Sequence, residues 1–397
     1  MYLNITSIRS NCKERELVFW GCSEDWVPKT RKLLPEVHKI CDIQFDLIGN
    51  SWENLKVFQP NDFLDPEKYF IVITSGSFES IVEVLIQSGF VSGLDFSLSP
   101  VFEDFKILES FDNEKIRAVF TSSDYPLIDD KQRSSRLGGG LYEATIHGSE
   151  FKFHKVYEGS LRQIVKYADE FYAVDYSKNM VIIFDENYNV VDSFKLSRRH
   201  CTGIAVDNDH IFVLSSADDI IVKIGKKDYE VLAEYNFGIN SGKGLGCYHI
   251  NDCWLDGPKL FFTYFSKSGL WRNEIFDGGI SVLDTSSGVI EEFMNGLFQP
   301  HSPIIHENDF YFCESTEGKL FKGTNTELFH VNSFIRGISF HTGKVIFGQS
   351  ETLYLKRLRN RRHLLLNSGL YLFDERSKLA RFFPTLGIKN IHQVVVL

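Results

Sequence analysis

The sequence predicts an α/β plus all-β protein: a small Rossmann-like N-terminal domain followed by a six-bladed β-propeller. Two observations carry this. From Ala118 onward one cassette recurs six times, a short aromatic or β-branched strand, a polar turn, a second strand, a turn and a third. The cassettes begin at Ala118, Phe171, Ile211, Leu260, Phe310 and Val345, roughly 35 to 53 residues apart, which is about what one four-stranded blade needs. Before residue 105 strand-like and helix-like segments alternate instead, as βαβ units on a parallel sheet do.

Taken in order, Leu17 to Gly21 reads as a short buried strand ending in a glycine turn. Glu24 to Val37 has a helix-compatible pattern with Ser23 as N-cap and Pro35 as its breaker. Gln44 to Gly49 reads as a second strand and Tyr69 to Ser75 as a third. Apolar residues at 78, 81, 82, 85 and 86 then predict a helix closed by Gly89. This places the α/β domain at 1–105, a charged linker at 106–116 and the propeller at 117–397. Within the propeller, residues 180–184 with 190–194, and 279–283 with 289–293, form outer hairpins around turns rich in Asp, Asn, Ser and Gly. His392 to Leu397 supplies a strand that closes the first blade from the other chain end, since closure removes exposed edges.

Composition narrows the function. With 43 Lys and Arg against 53 Asp and Glu, the net charge of −10 excludes a nonspecific nucleic-acid binder. The densest basic run, Lys356, Arg357, Arg359, Arg361, Arg362 and His363, reads as a solvated loop or a dock for an anion. Seven cysteines with no CxxC pair argue against a zinc ribbon and for a reduced, cytoplasmic protein. No apolar run reaches the ~18 residues that cross a bilayer, and Met1 to Ser10 lacks the build of a secretion signal.

Two glycine turns invite a phosphate reading and fail it. Gly21 is followed by Glu24 and Asp25, and the remaining glycines of a dinucleotide fingerprint are missing. Gly138, Gly139 and Gly140 lie in a blade hairpin and lead into a strand, so they read as a turn. The stronger signals stand at the entrances of inner strands: His200, His249 with Asn251, His301 with Ser302 between two prolines, Glu314 and Arg336. His249 and Asn251, two apart, face one side of an extended chain. Inner strands line the axial channel, so this set converges on one axial site able to bind a carbohydrate or carboxylate, or a cation with water.

At these residues the chain also resembles a known group. His249 with Asn251, Trp271, Pro300 to Pro303, Glu314 with Ser315 and Arg336 to Phe340 resemble, in this order, the His-x-Asn, Pro-His-Ser-Pro and Arg-Gly-Leu-x-Phe motifs of an uncharacterised bacterial six-bladed propeller family. The likeness spans residues 195–350. Members usually carry Asp or Asn where this chain has Glu314. Residues Tyr69 to Phe96 are similar to small Rossmann-like domains of capsule and surface-polysaccharide biosynthesis proteins. The resemblance implies a part in making a bacterial surface polysaccharide, with a sugar-containing ligand at the propeller axis. His249, His301 and Arg336 would then be the catalytic set, a His as general base and Arg336 steadying negative charge. His200, Asn251, Trp271, Ser302 and Glu314 would bind ligand. Two alternatives stand beside this: a metal-assisted propeller hydrolase or lactonase with Asn251, Glu314 and the histidines around an ion, and a non-catalytic assembly module, for which a homo-oligomer or biosynthetic partners are natural. Cofactor and metal are left open.

Overall fold

The computed structural model describes residues 2–127, 134–238, 246–351 and 363–397. The basic run at 356–362 lies outside them. The chain divides into two compact units, 1–113 and 114–397.

Unit 1 runs α1 (Ile5–Cys12), β1 (Glu16–Trp20), α2 (Trp26–Leu33), β2 (Lys39–Cys41), β3 (Ser51–Trp52), β4 (Leu55–Phe58), β5 (Tyr69–Ile73), α3 (Phe78–Gln87), β6 (Phe96–Leu98) and α4 (Glu103–Asp112). The sheet order is β3-β4-β2-β1-β5-β6, parallel except for the β3–β4 edge pair. Strand alternation feeds two cores. Val18, Trp20, Ile71 and Ile73 pack with Ile81 and Leu85 of α3, whereas Phe19, Phe70 and Val72 pack with Ile8 of α1 and Val27 of α2. A parallel sheet buried on both faces needs such continuous apolar strands.

Two expectations for this unit are corrected. Residues 44–49 are a turn, with Leu47 N bonded to Gln44 O at 3.0 Å. Of the apolar residues that suggested a strand, Phe45 is 88% exposed, Leu47 is half-buried against the core of Phe19 and Val72, and the pairing strands are β2 and β4. The charged segment read as a linker forms α4 and the first residues of the next strand. Phe111 is buried there, which anchors a helix that charge alone would have left unassigned.

Unit 2 is a six-bladed β-propeller, with six four-stranded sheets in chain order. The innermost strands are Leu161–Tyr167, Cys201–Val206, Ile250–Asp256, Pro300–His306, Phe334–His341 and Val394–Val396. The last of these pairs with Lys115–Ser122 and completes the first blade, so the chain ends close the ring as the sequence predicts. The six recurring segments are the second strands of their blades, buried on both faces. In His210–Ser215, Ile211 and Val213 enter one interblade core while Phe212 and Leu214 enter the next. Alternation thus glues each blade to two neighbours. The glycine run is a tight rather than a flexible turn: a Cβ on Gly139 would fall 2.5 Å from the carbonyl oxygens of Asp124 and Gly159. Among the described residues no helix is long and apolar enough to cross a membrane.

Candidate functional site

Each innermost strand opens with the same four-residue step, apolar, polar, polar or small, apolar, at 161–164, 201–204, 250–253, 300–303, 335–338 and 391–394. The register against the second strand slips there in blades two to six. The slip interrupts the ladder within or beside this step, and the polar side chains of the step turn to the axis. They bond across blades. Thr121 Oγ1 donates to Arg162 O at 2.6 Å, and Arg162 reaches the ring of His392. Gln163 receives the amides of Ile204 and Cys253 at 3.1 and 3.0 Å and donates to Cys253 O at 2.6 Å. Thr202 Oγ1 donates to Asn251 O at 3.3 Å. Asp252 Oδ2 accepts from the Ser302 amide at 3.0 Å, and Ser302 Oγ accepts from Gly337 N at 2.7 Å. Arg336 Nε donates to Ile391 O at 2.8 Å, with a second bond to Asn390. A closed polar ring therefore joins all six blades across the axis.

Four of the eight predicted site residues, Asn251, His301, Ser302 and Arg336, belong to this ring, and it decides what they can do. His301 is buried (1% exposed) between the rings of Phe265 and Phe334. Its Nδ1 lies 3.0 Å from the Gln299 carbonyl, which only accepts, so the proton sits on Nδ1. Nε2 then accepts from Asn251 Nδ2 at 3.1 Å. Burial, followed by the charge of Arg336, holds the imidazole well below its usual pKa range, that is, neutral. Ser315 Oγ stands 2.8 Å from the same Nδ1. The resulting Ser–His–Asn line looks like a nucleophile relay but is not one. The nitrogen facing Ser315 already carries the proton, and Ser315 is fully buried. Asp252, also buried, is pushed up by desolvation, with Arg336 opposing.

Above the ring, at the end where the inner strands begin, the side chains become accessible. His249 is half-buried, 4.3 Å from the Trp271 ring and 4.6 Å from Phe265. Its backbone is left-handed (φ +56°), as it is at the equivalent His200 (+51°) and Gln299 (+49°). This corrects the expectation that His249 and Asn251 share a side of an extended chain: His249 goes to the aromatic wall and Asn251 to His301. Trp271 Nε1 donates to Gly246 O at 2.9 Å, fixing that wall. His249 stands at the entrance of the strand Ile250–Asp256 and Arg162 near the start of Leu161–Tyr167, that is, at the same ends of two innermost strands. His200 joins them through Tyr176, whose hydroxyl is 2.7 Å from His200 Nδ1 and whose ring lies 4.3 Å below the Arg162 guanidinium.

Two predicted roles are corrected. Glu314 is not turned to the axis; its carboxylate accepts from the Phe298 amide at 3.0 Å, and burial raises its pKa. Ser302 is occupied on both sides by Asp252 and Gly337 and fastens blades four to six. The sequence reading missed Arg162, Gln163, Tyr176, Thr202, Asp252, His392 and Gln393. The repeated four-residue step would have found all of them except Tyr176. Among the described residues no three His, Cys, Asp or Glu side chains cluster closely enough to hold a metal ion; of the set named for the alternative reading, Glu314 bonds the Phe298 amide and Asn251 the His301 ring. A cavity of about 340 Å³ occupies the axis beyond the ring, walled by Val165, Ala205, Trp254, Ile304 and Val395. It is mainly apolar, and of the predicted residues Ser302 borders it.

No known protein family matches the chain, and no curated protein does. Solved structures of similar fold include a nidogen/laminin complex (9% identity, 70% of this chain and 98% of that one, TM-score 0.48). Others are the calcium-binding protein regucalcin of Agrobacterium tumefaciens (8%, 56% and 72%, 0.41) and a protein assigned as a gluconolactonase (11%, 60% and 90%, 0.43). They share the propeller and assign no activity to this chain. The expectation of capsule or surface-polysaccharide biosynthesis with a sugar-containing ligand is overturned. One of these propellers is assigned as a gluconolactonase, and none of the three is named as a polysaccharide-synthesis protein.

Proposed function

We propose that the propeller is a hydrolase of small esters or lactones, working at the upper end of its axis. The observation that carries this reading is that the strand entrances hold His249 against the aromatic wall of Trp271 and Phe265 and Arg162 against the Tyr176–His200 pair. Hydrolysis of an acyl group needs a base for water and fixed positive charge for the carbonyl oxygen. Water adds to the acyl carbon as its proton passes to the His249 imidazole. The carbonyl oxygen takes the negative charge near Arg162. The bond to the leaving oxygen then breaks, and His249 returns the proton to that oxygen, giving a carboxylic acid and an alcohol. The buried ring supports this by holding the strand entrances rigid.

The sheet order of unit 1, with β1 between β2 and β5, supports reading it as doubly wound and Rossmann-like. Gly21 there serves packing, since a Cβ would sit 2.5 Å from Ser75 Cβ.

The test is a pH-stat screen of five- and six-membered lactones and short-chain esters, with chelator present throughout. The expected result is saturable turnover of at least one of them, lowered about tenfold or more by Arg162→Met, as loss of a charge-stabilising group does. Absence of turnover across the panel sinks the reading.

A further inference from the structure

His200 is exposed, yet it is held more firmly than an exposed side chain requires. Its backbone is left-handed at φ +51°, a strain that persists only where the surroundings over-determine it. Its carbonyl accepts from both the amide and the hydroxyl of Ser216, at 3.1 and 2.8 Å. Its Nδ1 meets the Tyr176 hydroxyl at 2.7 Å. The Tyr176 ring is in turn pinned beneath Arg162, at 4.3 Å, and Arg162 is tied to His392 in the polar ring. A line of contacts thus runs from the buried axis to one solvent-facing imidazole. Core packing gains nothing from it; what it fixes is the direction of that ring.

We propose that His200 is a hydrogen-bond donor of the mouth whose tautomer is set by Tyr176, and that with Arg162 it stabilises the oxygen that becomes negative when water adds to an ester or lactone carbonyl. This rests on the hydrolase reading above. The phenolic O–H is the natural donor and the bare imidazole nitrogen the natural acceptor of the pair, so Tyr176 donates to Nδ1 and the ring proton sits on Nε2. Nε2 makes no hydrogen bond among the described residues and is left for the substrate. His200 exchanges no proton: the water proton travels through His249 to the leaving oxygen, and His200 contributes only its N–H. A neutral donor already aimed at the developing charge needs no reorganisation during the reaction. Tyr176 is a positioning residue, and Arg162 both orients it and lends positive charge.

The experiment is ¹⁵N NMR of the histidine-labelled full chain, with His200→Gln to assign the resonances, alongside steady-state kinetics. In the wild type the neutral His200 ring is expected to be protonated at Nε2, with Nδ1 bare and hydrogen-bonded. In Tyr176→Phe the Nδ1 resonance moves downfield as its donor disappears. A proton on Nδ1, or an Nδ1 resonance indifferent to Tyr176→Phe, overturns the proposal. In kinetics, Tyr176→Phe lowers kcat and leaves KM within about twofold, His200→Ala costs about a hundredfold, and His200→Gln, which keeps a donor, retains more activity than the alanine variant. Near-UV circular dichroism confirms that each variant is folded. If turnover occurs but His200→Ala is as active as the wild type, this proposal fails and the hydrolase reading stands. If the tautomer is as expected and no ester or lactone is cleaved, the hydrolase reading fails and the oriented donor stands.

Discussion

Replacing Gln163 by leucine tests whether the polar ring is a fastening between blades. The side-chain amide is buried (6% exposed) and makes three bonds to backbone groups of blades three and four: from Ile204 N at 3.1 Å, from Cys253 N at 3.0 Å and to Cys253 O at 2.6 Å. Leucine keeps much of the volume and leaves all three backbone groups unmatched. At about 1–3 kcal/mol for each buried group left unmade, the gross loss is roughly 3–9 kcal/mol. Relaxation, and water entering from the adjoining cavity, return part of it, so about 3–5 kcal/mol is expected. Gln393→Leu is the control. That amide donates two long bonds, at 3.3 Å, to Ile338 O and Val394 O, and its oxygen has no partner among the described residues, so its removal costs about 1 kcal/mol or less. Urea unfolding followed by circular dichroism gives both values. Equal losses, or a loss below ~1 kcal/mol for Gln163→Leu, would refute a ring that acts through these bonds.

Deleting residues 392–397 removes the strand that closes blade one; the propeller's cooperative thermal transition should disappear, and a sharp transition near the wild-type Tm would argue against closure by the chain ends. Asp219 is buried and its carboxyl is pushed up to about 6, chiefly by desolvation, against the amides of Tyr248 and Ile250 that favour the charged form. A folded pKa above the unfolded one stabilises below the unfolded value and loses that stability as pH rises through 6. Wild type should therefore lose on the order of 3 kcal/mol relative to Asp219→Asn between about pH 4 and 7, read from urea midpoints of both proteins; parallel pH profiles would contradict the sign. Glu314→Gln should leave hydrolysis unchanged and stability within about 1 kcal/mol, because among the described residues the buried carboxyl accepts one amide. A large fall in kcat would return Glu314 to the site.

The propeller was legible because second strands buried on both faces carry unbroken apolar runs, and those runs repeat. The closing strand was legible from its position at the far end of the chain. Residues 44–49 misled because alternation is shared by a half-buried strand and a solvated turn, and Phe45 does not announce its exposure. The charged helix α4 was hidden for the opposite reason, since charge dominates its sequence although Phe111 is buried. At the site, His200 and His249 stand just before inner strands and His301 and Arg336 near the starts of theirs. Their roles were not legible, because a register slip and a left-handed backbone decide which way each side chain turns. His301 and Arg336 went to the fastening ring, and Tyr176, which ends a second strand without any motif, became the partner of His200.

The central claim is that chemistry belongs to the upper end of the axis rather than to the apolar cavity below the ring. The most direct measurement is a crystal structure of the full chain with the hydroxy acid formed from whichever lactone the screen selects. The account predicts its carboxylate within hydrogen-bond reach of Arg162 and His200, beside Trp271. A product lodged among Val165, Trp254 and Val395, or elsewhere on the molecule, would contradict it.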